Sequence, residues 1–297
     1  MTDVSTQGLQ RRAELRMHAD WAHEARADPH TRYLIGQGTA MLVAREPSTS
    51  IALFGIEQES IGAIEDSSLV LLGWYRGARC VLVDLPPEIP FTPPGTFYEE
   101  LRPLLPLISA EEAQLLSLAR ALLIWRSRTR FCGVCGASTA PRSAGHVLVC
   151  TRCNAEFFPR IDPAIIVLVT DGPKALLGRQ ASWPTGRYSA LAGFVEPGES
   201  LEETVAREVE EESGIRVTRV HYFASQPWPF PASLMLGFHA EANEAPVQLD
   251  GELEDARWFE LEELRGSPQV LLPPPYTIAR RLIEAWFRSR GAGDSGD

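Results

Sequence analysis

The chain has 297 residues, 44% of them hydrophobic and 23% charged, which is room for one large domain or two to three smaller ones, each with its own core. A formal net charge of −11 repels phosphate over the molecule as a whole and excludes general coating of nucleic acid. The longest strand-like apolar run, Ile165-Ile166-Val167-Leu168-Val169, is far shorter than the roughly 18 residues of a bilayer span, so no membrane partner is expected.

The first stretch, MTDVSTQGLQRRAELRMHAD, lacks the apolar core of a secretion signal, and its acidic residues do not suit a transit peptide. An intracellular, cytoplasmic protein is expected. Residues 1 to about 30 read as a polar extension or a helix of modest stability. The segments TRYLIGQGTAMLVAR, SIALFGI, SLVLLGWYRG and ARCVLVDL then recur between Gly, Pro or polar turns, which predicts a small sheet. Gly36-Gln37-Gly38 lacks the third glycine of a dinucleotide fingerprint, and no P-loop sequence occurs. Cys80, alone in a β-prone run, reads as a buried small hydrophobe. Ser109-Ala110-Glu111-Glu112 has the form of a capping box opening a helix, along which Leu115, Leu118, Leu122 and Trp125 recur at helical spacing. Residues 1–128 are thus expected to form an N-terminal α+β domain.

Residues 129–159 hold two knuckles, Cys132-Gly-Val-Cys135 and Cys150-Thr-Arg-Cys153, with 14 residues between them. Each pair can place two thiolates on one tetrahedral ion. Disulfides or a redox pair are the alternatives, disfavoured in an intracellular chain and by the doubling of the motif. Four thiolates leave no open position, so one structural Zn²⁺ is expected. His146 reads as a spare ligand or, more simply, a surface histidine. Arg126, Arg128, Arg130, Arg142, Arg152 and Arg160 stand here against the single acid Glu156, which reads as a local basic patch or a solvated arginine face.

Beyond Pro163, strands about a turn at Asp171-Gly172-Pro173 lead to a glycine-bounded loop, an acidic helix, further strands (VTRVHYFAS, SLMLGFHAEA, ARWFEL) and a last helix from about Thr277 to Arg288; GAGDSGD reads as a frayed tail. Mixed strands with helices on both sides predict an α/β sandwich over 160–297. Ser200 and Glu203 form a capping box and Gly214 suits the C′ position, which brackets the acidic helix. Val205, Ala206 and Val209 share its packing side, while Glu208, Glu211 and Glu212 gather within about 100° beside them. Glu203, Arg207 and Glu210 fall on the solvent side. Three carboxylates on one stripe repel, and hard divalent ions are their natural partners.

Gly193-FVEPG-Glu199, SLEETVA and Arg207-Glu208-Val209-Glu210-Glu211-Glu212-Ser213-Gly214-Ile215 meet every fixed position of the Nudix signature, and the chain resembles that hydrolase superfamily. Its members cleave a nucleoside diphosphate linked to another group, using two or more Mg²⁺ or Mn²⁺ ions. The resemblance implies Glu208, Glu211 and Glu212 as metal ligands, with Glu211 or Glu212 a candidate general base. It implies Arg207 as the orienting residue, and the Ala192 carbonyl and Glu252 as further ligands.

Farther on, Ser225-Gln226-Pro227-Trp228-Pro229-Phe230-Pro231-Ala232-Ser233 resembles the specificity motif of the NAD(H) diphosphatase branch. That branch joins an N-terminal domain, a four-cysteine zinc ribbon and a Nudix α/β/α sandwich with a mixed sheet, in the order found here. The expected overall class is therefore α+β. The likeness implies Gln226, Pro227, Trp228, Pro229, Phe230, Pro231, Ala232 and Ser233 as substrate contacts, joined by Phe194 and Ala279. Phe158 matches a pocket aromatic that is often tyrosine, so a hydrogen bond from that hydroxyl is not available here. Prolines fix φ and hold the aromatics ready to stack on flat rings. The implied reaction is hydrolysis of NAD(H) to AMP and NMN(H), with removal of NAD caps from RNA 5′ ends, by a homodimer. The alternatives are a Nudix hydrolase for ADP-ribose or a dNTP, and a zinc-ribbon regulator that binds a nucleotide without cutting it. The regulator would be expected to have lost a helix glutamate, and none is missing.

Overall fold

The computed structural model describes residues 8–45, 48–55, 64–249 and 251–291. Residues 1–7 of the expected N-terminal extension, Ile56 of SIALFGI and 292–297 of the expected tail lie outside them. No helix among the described residues is long and apolar enough to cross a membrane. The chain divides into two compact units, Met1–Arg160 and Ile161–Asp297.

In the first unit the elements run β1 (Leu9–Gln10), α1 (Trp21–Ala27), β2 (Arg32–Gln37), β3 (Ala40–Ala44), β4 (Ser50–Ile51), β5 (Leu53–Phe54), β6 (Leu69–Tyr75), β7 (Ala78–Asp84), β8 (Thr96–Glu100), α2 (Leu101–Leu104) and α3 (Ala110–Arg128). Among the described residues one sheet runs β1-β6-β7-β2-β3-β4, with β5 on β2 and β8 on β3. The polar N-terminal stretch is more ordered than expected, because Leu9 is buried and β1 pairs with β6. TRYLIGQGTAMLVAR forms two strands, turned at Gly38 with φ 64°. The α3 capping box forms as predicted: Ser109 Oγ accepts from the Glu112 N–H at 3.2 Å, and Glu112 Oε2 accepts from the Ser109 N–H at 3.0 Å. This helix buries Leu115, Leu116, Ala119, Leu122 and Leu123, each leucine contributing about 1.5–3 kcal/mol on burial, while Leu118 is only half-buried. Cys80 is buried as expected, and burial pushes its thiol up to about 12.

A three-stranded antiparallel sheet follows, β9 (Thr139–Arg142), β10 (Val147–Cys150) and β11 (Glu156–Phe157), in the order β11-β10-β9. The turn Ser143–Gly145 presses on β6: a Cβ at Gly145, where φ is 87°, would lie 2.9 Å from Val70 Cγ2. His146 is buried beside it, and its Nε2–H donates to the Leu71 carbonyl at 2.7 Å. It is therefore neither a surface histidine nor a zinc ligand. Burial foremost lowers its pKa to about 4, so the ring stays neutral.

The second unit runs β12 (Asp162–Asp171), β13 (Lys174–Arg179), β14 (Leu191–Phe194), α4 (Leu201–Ser213), β15 (Val217–Trp228), β16 (Ser233–Ala242), β17 (Asp255–Glu260), α5 (Leu261–Gly266) and α6 (Ile278–Gly291). Its sheet order is β15-β16-β12-β13-β17, with β14 on β12; β12 and β16 are parallel and the other pairs antiparallel. Central β12 is buried on both faces, as its apolar run requires. Ile165, Val167 and Val169 meet Val205 and Val209 of α4, whereas Ile166 and Leu168 face Leu282, Ile283 and Trp286 of α6. This is the expected α/β/α sandwich. At the β12–β13 turn, Lys174 Nζ sits 2.7 Å from Glu244 and 3.4 Å from Glu260.

Candidate active site and zinc site

The four knuckle sulfurs converge within 4.8 Å of one another, with Cys132–Cys153 at 3.6 Å and Cys135–Cys150 at 3.4 Å. Sulfurs around a tetrahedral zinc, at about 2.3 Å from the ion, stand about 3.8 Å apart, whereas a disulfide needs about 2.05 Å. The set fits a structural zinc. The Ala137 N–H, then the Arg152 guanidinium, then the Cys150 sulfur draw the Cys135 thiol down to about 6. The Cys153 thiol is instead pushed up to about 12: the Ala155 N–H lowers it, and the Cys150 and Cys135 sulfurs outweigh that pull. Among the arginines expected as a basic patch, Arg126 is committed to Asp84 at 3.3 Å and to the Ser67 carbonyl at 2.6 Å. Arg152 folds onto the Cys135 carbonyl, while Arg128, Arg130, Arg142 and Arg160 are exposed.

The acidic helix is capped at both ends. Ser200 Oγ accepts from the Glu203 N–H at 3.2 Å, Glu203 Oε2 accepts from the Ser200 N–H at 2.8 Å, and Gly214 takes φ 71°. Its packing side differs from the expectation at two positions, Thr204 being buried and Ala206 exposed. Thr204 is drawn in because its hydroxyl donates to Glu199 Oε2 at 2.9 Å.

Arg207 does not point to solvent. Its Nε donates to Glu199 Oε1 at 2.6 Å, its Nη2 to Glu199 Oε2 and the Phe194 carbonyl at 2.9 Å, and its Nη1 to Glu211 and Glu208 at 2.9 Å. A planar fork meeting this many acceptors is worth more than a hydrated surface charge. Arg207 is held protonated by Glu199 first, and Glu199 is held down at about 2 by Arg207 first and the Glu196 N–H next. One guanidinium therefore fixes the loop and two helix carboxylates together.

Glu208 shifts the other way. Burial raises its carboxyl, Arg207 opposes this, and the charges of Glu211 and Glu252 raise it further. Its carboxylate lies against Gly193, where a Cβ would come within 1.9 Å of Glu208 Cδ. Only glycine lets β14 pass so close. Glu212 is buried at 4% exposure, and the Glu211 side chain is 55% exposed. Oxygen donors that repel one another until a cation lies between them fit a hard divalent ion.

SQPWPFPAS forms the end of a β-hairpin. Ser225–Trp228 complete β15, residues 229–232 turn, and Ser233 opens β16, with Gln226 opposite Met235 and Trp228 opposite Ser233. Trp228 and Phe230 meet edge to face at 5.0 Å, and the Asp162 N–H donates to the Ala232 carbonyl at 2.8 Å, tying the tip to β12.

The family model for the NUDIX domain matches residues 160–286, that for the NADH pyrophosphatase zinc ribbon domain 127–158, and that for the NADH pyrophosphatase-like rudimentary NUDIX domain 30–125. The NAD-capped RNA hydrolase NudC of Mycobacterium bovis (strain BCG / Pasteur 1173P2) is 39% identical across 96% of this chain and 99% of its own length. The chain belongs to the NudC family of Nudix hydrolases. NudC of Stutzerimonas stutzeri (strain A1501) is 42% identical over 74% of this chain and 77% of its own. The human NAD-capped RNA hydrolase NUDT12 is 42% identical over 63% of this chain and 44% of its own.

In this NudC-family chain Arg207 contacts Glu208 and Glu211, Gly193 lies against the Glu208 carboxylate, and the Glu252 charge helps raise that carboxyl. Ala192 is exposed on β14 immediately before that glycine, and Phe194 is 57% exposed immediately after it. In the hairpin, Pro227 is exposed, Trp228, Phe230, Pro231 and Ala232 are half-buried, and Pro229 and Ser233 are buried. Gln226 is already used: its Nε2 donates to the Tyr276 carbonyl and its Oε1 accepts from the Ile278 N–H, both at 2.7 Å. Its amide thus joins β15 to the start of α6. Ala279, in that first turn, has its side chain in the core. Phe158 belongs to the first unit, where it is 61% exposed. Glu199 and Thr204 were not among the expected site residues. The fixed position of Glu199 in the box was the available signal for it.

Proposed function

We propose that the chain hydrolyses the pyrophosphate of NAD(H), releasing AMP and NMN(H), and removes NAD caps from RNA 5′ ends. The observation that carries this reading is the Arg207 hub, which fixes Glu199, Glu208 and Glu211, with the Glu208 carboxylate against Gly193, in the same unit as the SQPWPFPAS hairpin. The similarity to NAD-capped RNA hydrolases along nearly the whole chain supports the substrate.

In this reading the Ala192 carbonyl, Glu208, Glu211, Glu212 and Glu252 hold Mg²⁺ or Mn²⁺. Such ions would neutralise the anionic diphosphate and lower the pKa of water. Glu211 or Glu212 accepts the proton of the attacking water. Glu211, the more exposed, is open to solvent, whereas Glu212 is shielded from it. Arg207 keeps the carboxylates oriented. Trp228, Phe230 and Phe194 offer ring faces to the bases, and Pro227, Pro229, Pro231, Ala232 and Ser233 shape the hairpin wall. Gln226 and Ala279 support that wall through the start of α6. Phe158 is the candidate contact from the zinc-ribbon segment, and Arg128, Arg130 and Arg142 are candidates for the RNA body. Residues 1–128, 129–159 and 160–297 are read as the N-terminal, zinc and catalytic domains of a cytoplasmic homodimer, for which family resemblance is the support.

Product analysis with NADH, NAD-capped RNA, ADP-ribose and a dNTP, each with Mg²⁺ and with Mn²⁺, tests the reading. AMP plus NMN(H) from NADH, and monophosphorylated RNA from capped RNA, are expected to form faster than products of the other two substrates. Faster turnover of ADP-ribose or the dNTP would overturn it.

A further inference from the structure

The short run that follows Glu252 is fastened at three successive residues, each by a different force. Leu253 is buried, and its Cδ1 fills the space above Gly178, where a Cβ would lie 2.7 Å away. The Glu254 N–H donates to the Arg179 carbonyl at 2.9 Å, and the Glu254 carboxylate pairs with the Arg179 guanidinium. That guanidinium is itself well shielded and also donates from Nη2 to the Trp183 carbonyl at 3.1 Å. Asp255 accepts from the Tyr188 hydroxyl. Tyr188 is buried, and its ring meets Phe259 edge-on at 4.8 Å, so the hydroxyl has little freedom.

These anchors share a frame with the Glu208 seat. Gly178 and Ser189 exchange two backbone hydrogen bonds at 2.9 Å, one residue from Arg179 and Tyr188 respectively. The segment from Tyr188 continues into β14, whose Gly193 receives the Glu208 carboxylate. A carboxylate on an exposed loop would otherwise have to be ordered when an ion binds, and that ordering opposes binding.

We infer that Arg179 and Tyr188 are positioning residues, which hold the 253–255 run and thereby fix Glu252, the residue that precedes it, before any ion arrives. The inference rests on the proposed role of Glu252 as a metal ligand. Neither Arg179 nor Tyr188 touches the reacting atoms. Residues that orient metal ligands at second hand typically change metal affinity about 10- to 100-fold when removed.

The test is a Mn²⁺ titration of the full-length, zinc-loaded protein, following the EPR signal of free Mn²⁺, with no substrate present. Arg179→Met should weaken Mn²⁺ binding about 10-fold, with Tyr188→Phe giving a smaller loss and Arg179→Lys restoring most of the affinity. Glu252→Gln should also weaken it, and adding Arg179→Met to Glu252→Gln should weaken it no further, because the positioned group is gone. An equal Arg179→Met effect in the Glu252→Gln background, or no effect in either background, overturns the inference while leaving Glu252 as a ligand. Unchanged binding by Glu252→Gln overturns the role of Glu252 and the inference with it. Should Arg179→Met fail to melt cooperatively, Tyr188→Phe, which deletes one hydroxyl, carries the same cycle.

Discussion

Two helices, α3 in the first unit and α4 in the second, begin with the same chemistry and end in different uses. Each opens on a serine whose hydroxyl accepts from the backbone three residues on, and on a glutamate that reaches back to the serine N–H. Behind that shared start, α3 turns Leu115, Leu116, Ala119, Leu122 and Leu123 inward, while α4 buries only two aliphatic side chains, Val205 and Val209, together with Thr204, Glu212 and Ser213. The caps settle where a helix starts. The residues beyond them decide whether it supports a core or a charge site, and the second use needs a cationic hub, which Arg207 of the same helix supplies.

Substitutions can break or sharpen this contrast. The largest effect is expected for Glu211→Gln in α4, which should lower kcat by about 10²–10³-fold with unfolding free energy changed by less than about 0.5 kcal/mol. A large loss of stability without loss of kcat would erase the distinction between the helices. Leu122→Ala in α3 should do the reverse, costing about 2–5 kcal/mol in urea unfolding of the first unit. A third test uses pH. The folded pKa of His146, about 4, lies below its unfolded value, so its contribution is complete above about 6.5 and is lost as pH falls toward 4. The urea midpoint of the first unit should fall over that window, and His146→Gln, which keeps a donor for the Leu71 carbonyl, should flatten the fall. Smallest are the caps: Ser109→Ala and Ser200→Ala should each cost about 1 kcal/mol. Unequal costs would show that the shared motif is not energetically equivalent in the two settings.

Much of this was legible in the sequence because it is local. Capping boxes, the Gly214 terminus, each C-x-x-C knuckle and the spacing of Glu208, Glu211 and Glu212 all lie within a turn or two of chain, and each formed. What local pattern leaves open depends on partners that only the fold brings together. Helical geometry alone puts Arg207 on the solvent side, where Glu199 and the Phe194 carbonyl, 8 and 13 residues before it, fold over it, and the Nudix resemblance marks it as the orienting residue. His146 finds its acceptor on Leu71, 75 residues away, and Arg126 finds Asp84, 42 residues away. The motif marks Gln226 but not the backbone it bonds, which lies 50 and 52 residues downstream. Periodicity gives a face, and only the fold tells what covers it.

The chain's single lysine lends itself to chemical use. Lys174 is held between Glu244 and Glu260, and Glu244 foremost raises its pKa, so little free amine is present at neutral pH. Acylating reagents thus meet one lysine side chain, and a slow one. Carbamylation or ester-based labelling should proceed sluggishly at Lys174, quicken once Glu244 is neutralised, and leave the arginine-built carboxylate hub chemically untouched.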